Sequence, residues 1–261
     1  DEDATGGDTK TSAGSAYIFA KDEGGLNNWG EVKKIVASDR DEYNYFGQNI
    51  SISGNYAIVG VPSESEDASG GDTKVSAGSA YIYAKDHGGV NNWGEVKKIV
   101  ASDRFSYDIF GCSVSVSGNY IIVGAAGEDE DAAGINMKSG TGSVYFFHKD
   151  RGGTDNWGLV RKKTASDRAG SDQFGISVGI SGTKAIVGAY YNDTDGNGDN
   201  YLSNSGAVYF FEEESGADIS VLDSEGDYIF INAEADVSIN TDFGSTTLGG
   251  TTPQSVFSIV N

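Results

Sequence analysis

The chain has 261 residues, with 18 Lys and Arg against 39 Asp and Glu, a formal charge of −21, and 38 Gly beside 2 Pro and one Cys. A surface this acidic repels phosphate backbones and anionic lipid, which argues against nucleic acid and membrane insertion. No apolar run approaches the ~20 residues of a membrane helix, one cysteine excludes a disulfide framework or thiolate cluster, and an aromatic share of 11% sets the chain apart from disordered acidic sequences.

What remains is a Gly-punctuated, all-β chain whose charge suits a high-salt or extracellular setting, or cation binding. Residues 1–10, DEDATGGDTK, hold no signal-peptide-like apolar stretch and read as the middle of a loop. The chain is therefore expected to begin downstream of its natural start. Strands are predicted at 12–22 and 29–37. Trp29, Trp93 and Trp157 then stand 64 residues apart, and the same step relates Phe46-Gly47, Phe110-Gly111 and Phe174-Gly175, as well as Gly14, Gly78, Gly142 and Gly206. Each period contains four short strands. In the first complete one these are Phe46–Ser53, Tyr56–Val61, Ser79–Lys85 and Trp93–Val100, with Gly54-Asn55 as a tight hairpin turn. Ile50 and Ile52 alternate with Asn49 and Ser51, a period of two, and no segment shows helical periodicity. A second such unit follows, its fourth strand at 157–164, and then strands at 174–180, 184–190 and 205–214. Four antiparallel strands at this fixed period describe β-propeller blades, each burying a face only by stacking on a neighbour.

The order Phe46-Gly47, then Ile58-Val59-Gly60-Val61-Pro62, then Ser76-Ala77-Gly78-Ser79-Ala80-Tyr81 resembles the FG-GAP repeat, and the terminal Pro survives once among the copies. The resemblance covers about residues 1–214. It implies a β-propeller like the head of integrin α-chains and of many secreted bacterial surface proteins. The 13 predicted strands make little more than three blades, where propellers need at least about four. The expected architecture is thus an incomplete propeller, with blades absent from this chain or supplied by further copies; open sheet edges would invite head-to-tail self-assembly.

From about residue 217 the pattern changes. Ala217–Leu222, Tyr228–Ala233, Ala235–Asn240 and Ser255–Val260 read as strands. Asp242-Phe243-Gly244-Ser245, Leu248-Gly249-Gly250 and the closing Val256–Asn261 resemble the opening of an Ig-like sandwich of the choice-of-anchor or ASPM/SPD-2/Hydin type. Residues 215–261 are read as the start of that sandwich, truncated at its C-terminus, or as a simple β-extension. Such modules serve as spacers or anchors near an envelope.

Calcium is the first chemistry to consider among so many acids. The resemblance implies a DxDxDG loop between the first two strands of a unit, yet Ser53-Gly54-Asn55, Ser117-Gly118-Asn119 and Ser181-Gly182-Thr183 supply no carboxylate there. The acids sit between the second and third strands, as Glu64–Asp67, Glu128–Asp131 and Asn192–Asp199. Residues 193–198 fit D-x-[DN]-x-[DN]-G, the first half of an EF-hand-type loop, although Asn204 stands where the bidentate Glu belongs. Asp193, Asp195, Asn197 and Asp199 are the candidate Ca²⁺ ligands. The two plain acidic loops read as solvated faces.

No catalytic residue is predicted. His87 and His148 occupy different positions in the repeat; Cys112 aligns with Gln48 and Ile176 and reads as a small packed side chain. No Gly-x-Ser-x-Gly elbow with a His partner can be assembled. The aromatic pairs Tyr17/Phe19, Tyr81/Tyr83, Tyr145/Phe147 and Tyr209/Phe211 are expected to pack between blades, with sugar stacking as the sharper alternative. The tryptophans are open to the same two readings, and Asn49-Ile-Ser51 and Asn192-Asp-Thr194 match glycosylation sequons. Together these point to a non-catalytic extracellular or cell-surface binding or structural protein, adhesin-like, with a protein or glycan ligand. The alternative is an accessory propeller region of a secreted polysaccharide-active enzyme.

Overall fold

Apolar–polar alternation between glycine turns produces antiparallel meanders. The computed structural model describes residues 2–3, 5–195, 200–212, 220–222 and 258–260, and these hold strands, turns and loops without a helix. Strands β1 (Ala16–Lys21) and β2 (Trp29–Ile35) form a pair. A four-stranded sheet follows in chain order: β3 (Asn49–Ser53), β4 (Tyr56–Val61), β5 (Ser79–Ala84) and β6 (Gly94–Ile99). The next sheet is β7 (Phe110–Ser117), β8 (Tyr120–Ala125), β9 (Ser143–His148) and β10 (Gly158–Lys163). Three strands complete the array: β11 (Ser177–Ser181), β12 (Lys184–Ala189) and β13 (Ala207–Glu212). These are propeller-like blades, and among the described residues the array does not close. The chain divides into two compact units, Asp1–Glu213 and Glu214–Asn261. In the second, β14 (Ser220–Leu222) and β15 (Ser258–Val260) pair antiparallel; the strands expected at 228–240 lie outside the described residues.

Each hairpin between first and second strands has a two-residue loop opened by glycine, Gly54 at φ +57° in the first complete blade, with Ser53 paired to Tyr56. Most strands are shorter than their sequence pattern, β1 for example spanning Ala16–Lys21 within the predicted 12–22, and in two the backbone shows why. Trp93 adopts φ +49°, so β6 starts one residue later, and Gly47 at φ +98° leaves Phe46 outside β3, in an isolated parallel bridge to Gly14.

Three apolar clusters fill the three junctions between successive sheets. The first joins Ala16, Ile18 and Ile35 of β1–β2 to Tyr81, Tyr83 and Trp93. The second joins Ile58, Ala80 and Ile82 to Phe110, Tyr145, Phe147 and Trp157. The third joins Ile122, Val144 and Phe146 to Phe174, Tyr209 and Phe211. One side of every complete blade therefore carries second- and third-strand residues that are aliphatic save Phe146, and the other carries the aromatic pair. Each fully buried side chain of this size contributes about 1.5–3 kcal/mol, so the junctions are the main source of stability.

The repeat's glycines explain how the blades approach so closely. Gly78 has φ +85° and bridges Phe110, and a Cβ there would lie 2.0 Å from the Phe110 carbonyl oxygen. At Gly60 a Cβ would lie 2.1 Å from the Gly111 oxygen. The Phe-Gly of one blade thus rests on bare backbone of the blade before it. A serine ladder reinforces the contact: the Val116 amide donates to Ser51 Oγ (3.1 Å), and the Ile180 and Gly182 amides donate to Ser115 and Ser117 (3.2 and 3.0 Å).

Candidate functional site

The four-residue block Ala-Ser-Asp-Arg recurs at the end of each fourth strand, and its Asp and Arg work in opposite directions. Arg104 turns back into its own blade, donating to the carbonyls of Asp72 (2.9 Å) and Ser65 (2.8 Å) and so clamping the acidic loop between β4 and β5. Asp103 reaches forward into the next blade, 2.7 Å from both the Tyr145 hydroxyl and Lys162 Nζ. Lys162 also pairs with buried Glu128 at 3.4 Å, and the Tyr145 hydroxyl lies 2.8 Å from the same carboxylate. Asp39, Tyr81, Lys98 and Glu64 repeat the arrangement one junction earlier, at 2.7 Å for both Asp39 contacts. Burial, first of all, and then the adjoining carboxylates push both tyrosine hydroxyls far above their ordinary range, so they remain donors.

Loss of one partner strands a buried charge. Tyr145→Phe and Asp103→Ala are each expected to cost about 1–3 kcal/mol, and the double variant less than the sum, because each single change already breaks the shared network. Urea unfolding of the four proteins checks this; strict additivity would mean the network is not coupled.

A fifth position beside this cluster varies among the blades. Asn44 donates its amide to Glu64 Oε2 (2.7 Å). At the next junction Asp108 replaces it, so two buried acids face one another. At the third, Asp172 is an acid but Asn192 replaces the glutamate, with the amide 3.4 Å from Asp172 Oδ2. Desolvation first, then the negative charge of Glu128, pushes Asp108 up to about 7, and Asp172 is also raised, chiefly by desolvation.

The acidic loops are internally satisfied. Asp67 Oδ1 accepts from the Ser69 amide (2.8 Å), the Ser69 hydroxyl (2.7 Å) and the Gly71 amide (3.0 Å). These donors, Gly71 foremost, hold its carboxyl well below the usual range; the Ile135 amide and then the Asn136 side chain lower Asp131 to about 2. The candidate calcium ligands follow suit where they are described. Asp193 Oδ1 accepts from the Asn204 amide (2.6 Å), as Asp129 does from Gly140 (2.6 Å), and Asp195 takes the Asn200 side-chain amide. Asn197 and Asp199 lie outside the described residues. Among the described residues no group of three or more His, Cys, Asp or Glu is placed to hold a metal ion. The plain acidic loops are expected to be solvated faces, but Glu64 and Glu128, the first acid of each, are buried and stapled. Their signal was the fixed spacing to Tyr81 and Tyr145, which periodicity alone did not flag.

Interior aromatics of the third strands are buried between blades, and so are Trp93 and Trp157; Trp157 stacks edge-on against Tyr56 at 5.0 Å between ring centres. Sugar stacking is thereby closed to them. Cys112 is half-buried with its sulfur near the Gly175 carbonyl, and burial pushes its thiol up to about 11, the behaviour of a packing residue. Asn192 is buried with its amide bonded, so its sequon is inaccessible in the folded chain. A different set of aromatics faces solvent. Tyr43, Tyr45, Phe105 and Tyr107 sit on the loops joining one blade to the next, beside the acidic loops, to which they are tied by the Tyr43 amide on Thr11 and the Tyr107 amide on Val75. The 64-residue step relates Tyr43 to Tyr107 but puts Ser171 in the third copy, and it relates Tyr45 to Ile109 and Phe105 to Asp41, so the repeat marks this position only in part. A groove of about 780 Å³ beside β2 is lined by Lys10, Lys33, Lys34 and Arg40. Each of these is engaged by a carbonyl or side-chain oxygen.

Among the described residues no helix is long and apolar enough to cross a membrane. No curated protein matches the chain. The family model for the FG-GAP repeat matches three times, at residues 29–83, 93–147 and 157–211. Each match runs from the tryptophan before a fourth strand, through the Phe-Gly joint, to the aromatic pair of the next third strand, so it spans the junction between blades. On these three matches, which cover more than half of its length, the chain belongs to the FG-GAP repeat family.

Proposed function

We propose that this is a non-catalytic extracellular or cell-surface protein, adhesin-like, whose blades present a binding rim and serve as structural units. FG-GAP repeat domains are generally non-catalytic and typical of extracellular or surface proteins, and a propeller-type domain of this family suits binding or structural work. The observation that carries the reading is the rim on which Tyr43, Tyr45, Phe105 and Tyr107 stand exposed beside carboxylates held by their own loops. Flat aromatic faces next to fixed acceptors suit a glycan or a protein surface. The buried acids, by contrast, are committed to stapling blades together. We further propose that residues 215–261 begin an Ig-like spacer or anchor, and that Ca²⁺ binds the last acidic loop through Asp193, Asp195, Asn197 and Asp199, in competition with the amides that donate to Asp193 and Asp195. An accessory role beside a polysaccharide-active enzyme remains the second reading, favoured by the same exposed aromatics.

The test is retention of the chain on glycan arrays and on cell surfaces, with and without Ca²⁺. Retention without turnover is expected, at least tenfold weaker in Phe105→Ala/Tyr107→Ala, with calorimetric Ca²⁺ heat that Asp195→Ala removes. Cleavage of a bound glycan would overturn the non-catalytic reading; absence of Ca²⁺ heat would remove the cation.

A further inference from the structure

The turn that carries Tyr107 is built around a buried side chain. Tyr107 and Ile109 stand at φ +73° and +52°, in the left-handed region that is costly for a residue with a Cβ, and Tyr43 and Tyr45 repeat this at +63° and +54°. Between each pair lies a buried residue, Asn44 in the first turn and Asp108 in the second, while Tyr43, Tyr45, Phe105 and Tyr107 are exposed. Both turns are tied to the loop before the third strand. The Tyr107 and Ile109 amides donate to the Val75 and Ser76 carbonyls (2.8 and 3.0 Å), as the Tyr43 and Tyr45 amides do to Thr11 and Ser12 (2.9 and 3.0 Å). The two anchors differ in chemistry. The Asn44 side-chain amide donates to Glu64 at 2.7 Å whatever the pH, whereas Asp108 meets Glu128 as acid against acid and can donate only while it carries a proton. Asp108 Oδ2 also accepts from the Phe105 amide, which ties this anchor to the exposed aromatics of its turn.

We propose that Asp108 and Glu128 form a proton-operated latch on the turn that presents Phe105 and Tyr107, closed while the two carboxyls share one proton and released when that proton is lost to water. The latch rests on the reading of the rim as a binding surface and supplies the regulation of that surface. The groups that meet Asp108 are Glu128 from the loop after β8, Asp103 from the end of the preceding fourth strand and Lys162 from β10, with the Tyr145 hydroxyl bonded to both Glu128 and Asp103. Lys162 lies 2.7 Å from Asp103 and 3.4 Å from Glu128, so one cation is shared among three acids. Burial first, and then Glu128, push the Asp108 carboxyl up to about 7, while in the released turn it returns to water and to about 3.9. The closed turn therefore holds the proton more tightly than the released one. Release becomes easier as pH rises through that window and levels off above it. Asn44 has no proton to lose, so the Tyr43–Tyr45 turn is a pH-independent control within the same molecule.

Amide hydrogen exchange on the full chain, corrected for the intrinsic pH dependence of exchange, tests the latch without a ligand. Between pH 5 and pH 8 the protection of the Tyr107 and Ile109 amides is expected to fall about thirtyfold, with that of Tyr43 and Tyr45 unchanged. Asp108→Asn should flatten the response of the second turn, and Asn44→Asp should confer it on the first, so that exchanging the anchors exchanges the behaviour. Constant protection at Tyr107 across the range would overturn the proposal, as would a fall that Asp108→Asn retains. So would a Tyr107 amide no less protected at pH 8 than the Val123 amide in β8, which would mark opening of the whole blade and not of the turn. On glycan arrays, wild-type retention is expected to fall at least tenfold over the same range and that of Asp108→Asn to hold constant; retention that pH leaves unchanged in the wild type would overturn control of the rim. Because exchange needs no ligand, failure of the latch and failure of the binding reading are read separately.

Discussion

Gly78→Ala is expected to destabilise the protein by about 3–5 kcal/mol, enough to leave much of it unfolded. Two costs combine. The residue sits at φ +85°, where an L side chain costs roughly 1–2 kcal/mol. Its new Cβ would also stand 2.0 Å from the Phe110 carbonyl oxygen and 2.5 Å from the Phe110 amide nitrogen. Backbone cannot rotate away as a side chain can, so the blades must separate and the cluster around Phe110 loses contact. Gly54→Ala separates the two costs: its φ is +57° and nothing lies within 4 Å of the added methyl, so only about 1 kcal/mol is expected. Urea unfolding midpoints of the two variants provide the comparison. Equal losses would show that the Phe-Gly joint is not the tight contact described.

Asp108→Asn is expected to stabilise the protein, and increasingly so as pH rises. In the native state Asp108 lies buried beside Glu128, with Asp103 also near, Lys162 as the cation facing the group and the Phe105 amide as its backbone donor. Its carboxyl is pushed up to about 7, whereas an unfolded chain releases that proton near pH 3.9. Between these values the native state holds the extra proton, so stability falls as pH rises through the window and then levels off above it. Asparagine carries no titrating proton and can donate to Glu128 as Asn44 donates to Glu64. The gain over wild type is expected to grow by about 2 kcal/mol from pH 5 to pH 8. Thermal melts of both proteins across that range check it. A difference independent of pH would mean that Asp108 does not titrate in the window.

Much of the fold was legible before any coordinates. The 64-residue step and the period-two alternation placed β1–β13 within a few residues, because both report which face of a strand is buried. The departures occur where backbone conformation overrides pattern, at Trp93 and at Phe46-Gly47. The candidate site was less readable. A loop such as Glu64–Asp67 looks the same in sequence whether its carboxylates face water, a cation or its own amides, and only geometry distinguishes them. Tyr43 and Tyr107 stand one period apart, but Ser171 follows in the third copy and Tyr45 and Phe105 have no aromatic counterpart, so the pattern does not single out this exposed set.

Sequence alone determined the repeat, the strand order and the chemistry of each junction, since these follow from residue identity at a fixed spacing. Tertiary structure decided which chemically equivalent residues are buried. Trp29 and Trp157 are indistinguishable by motif, yet one faces solvent and the other is sealed, because burial depends on whether a neighbouring blade is present. The −21 charge divides in the same way: Glu64, Glu128 and Asp108 are buried in the junctions between blades, where desolvation raises the Asp108 carboxyl, while Asp67 and Asp131 stay ionised at the rim, held by amides of their own loops.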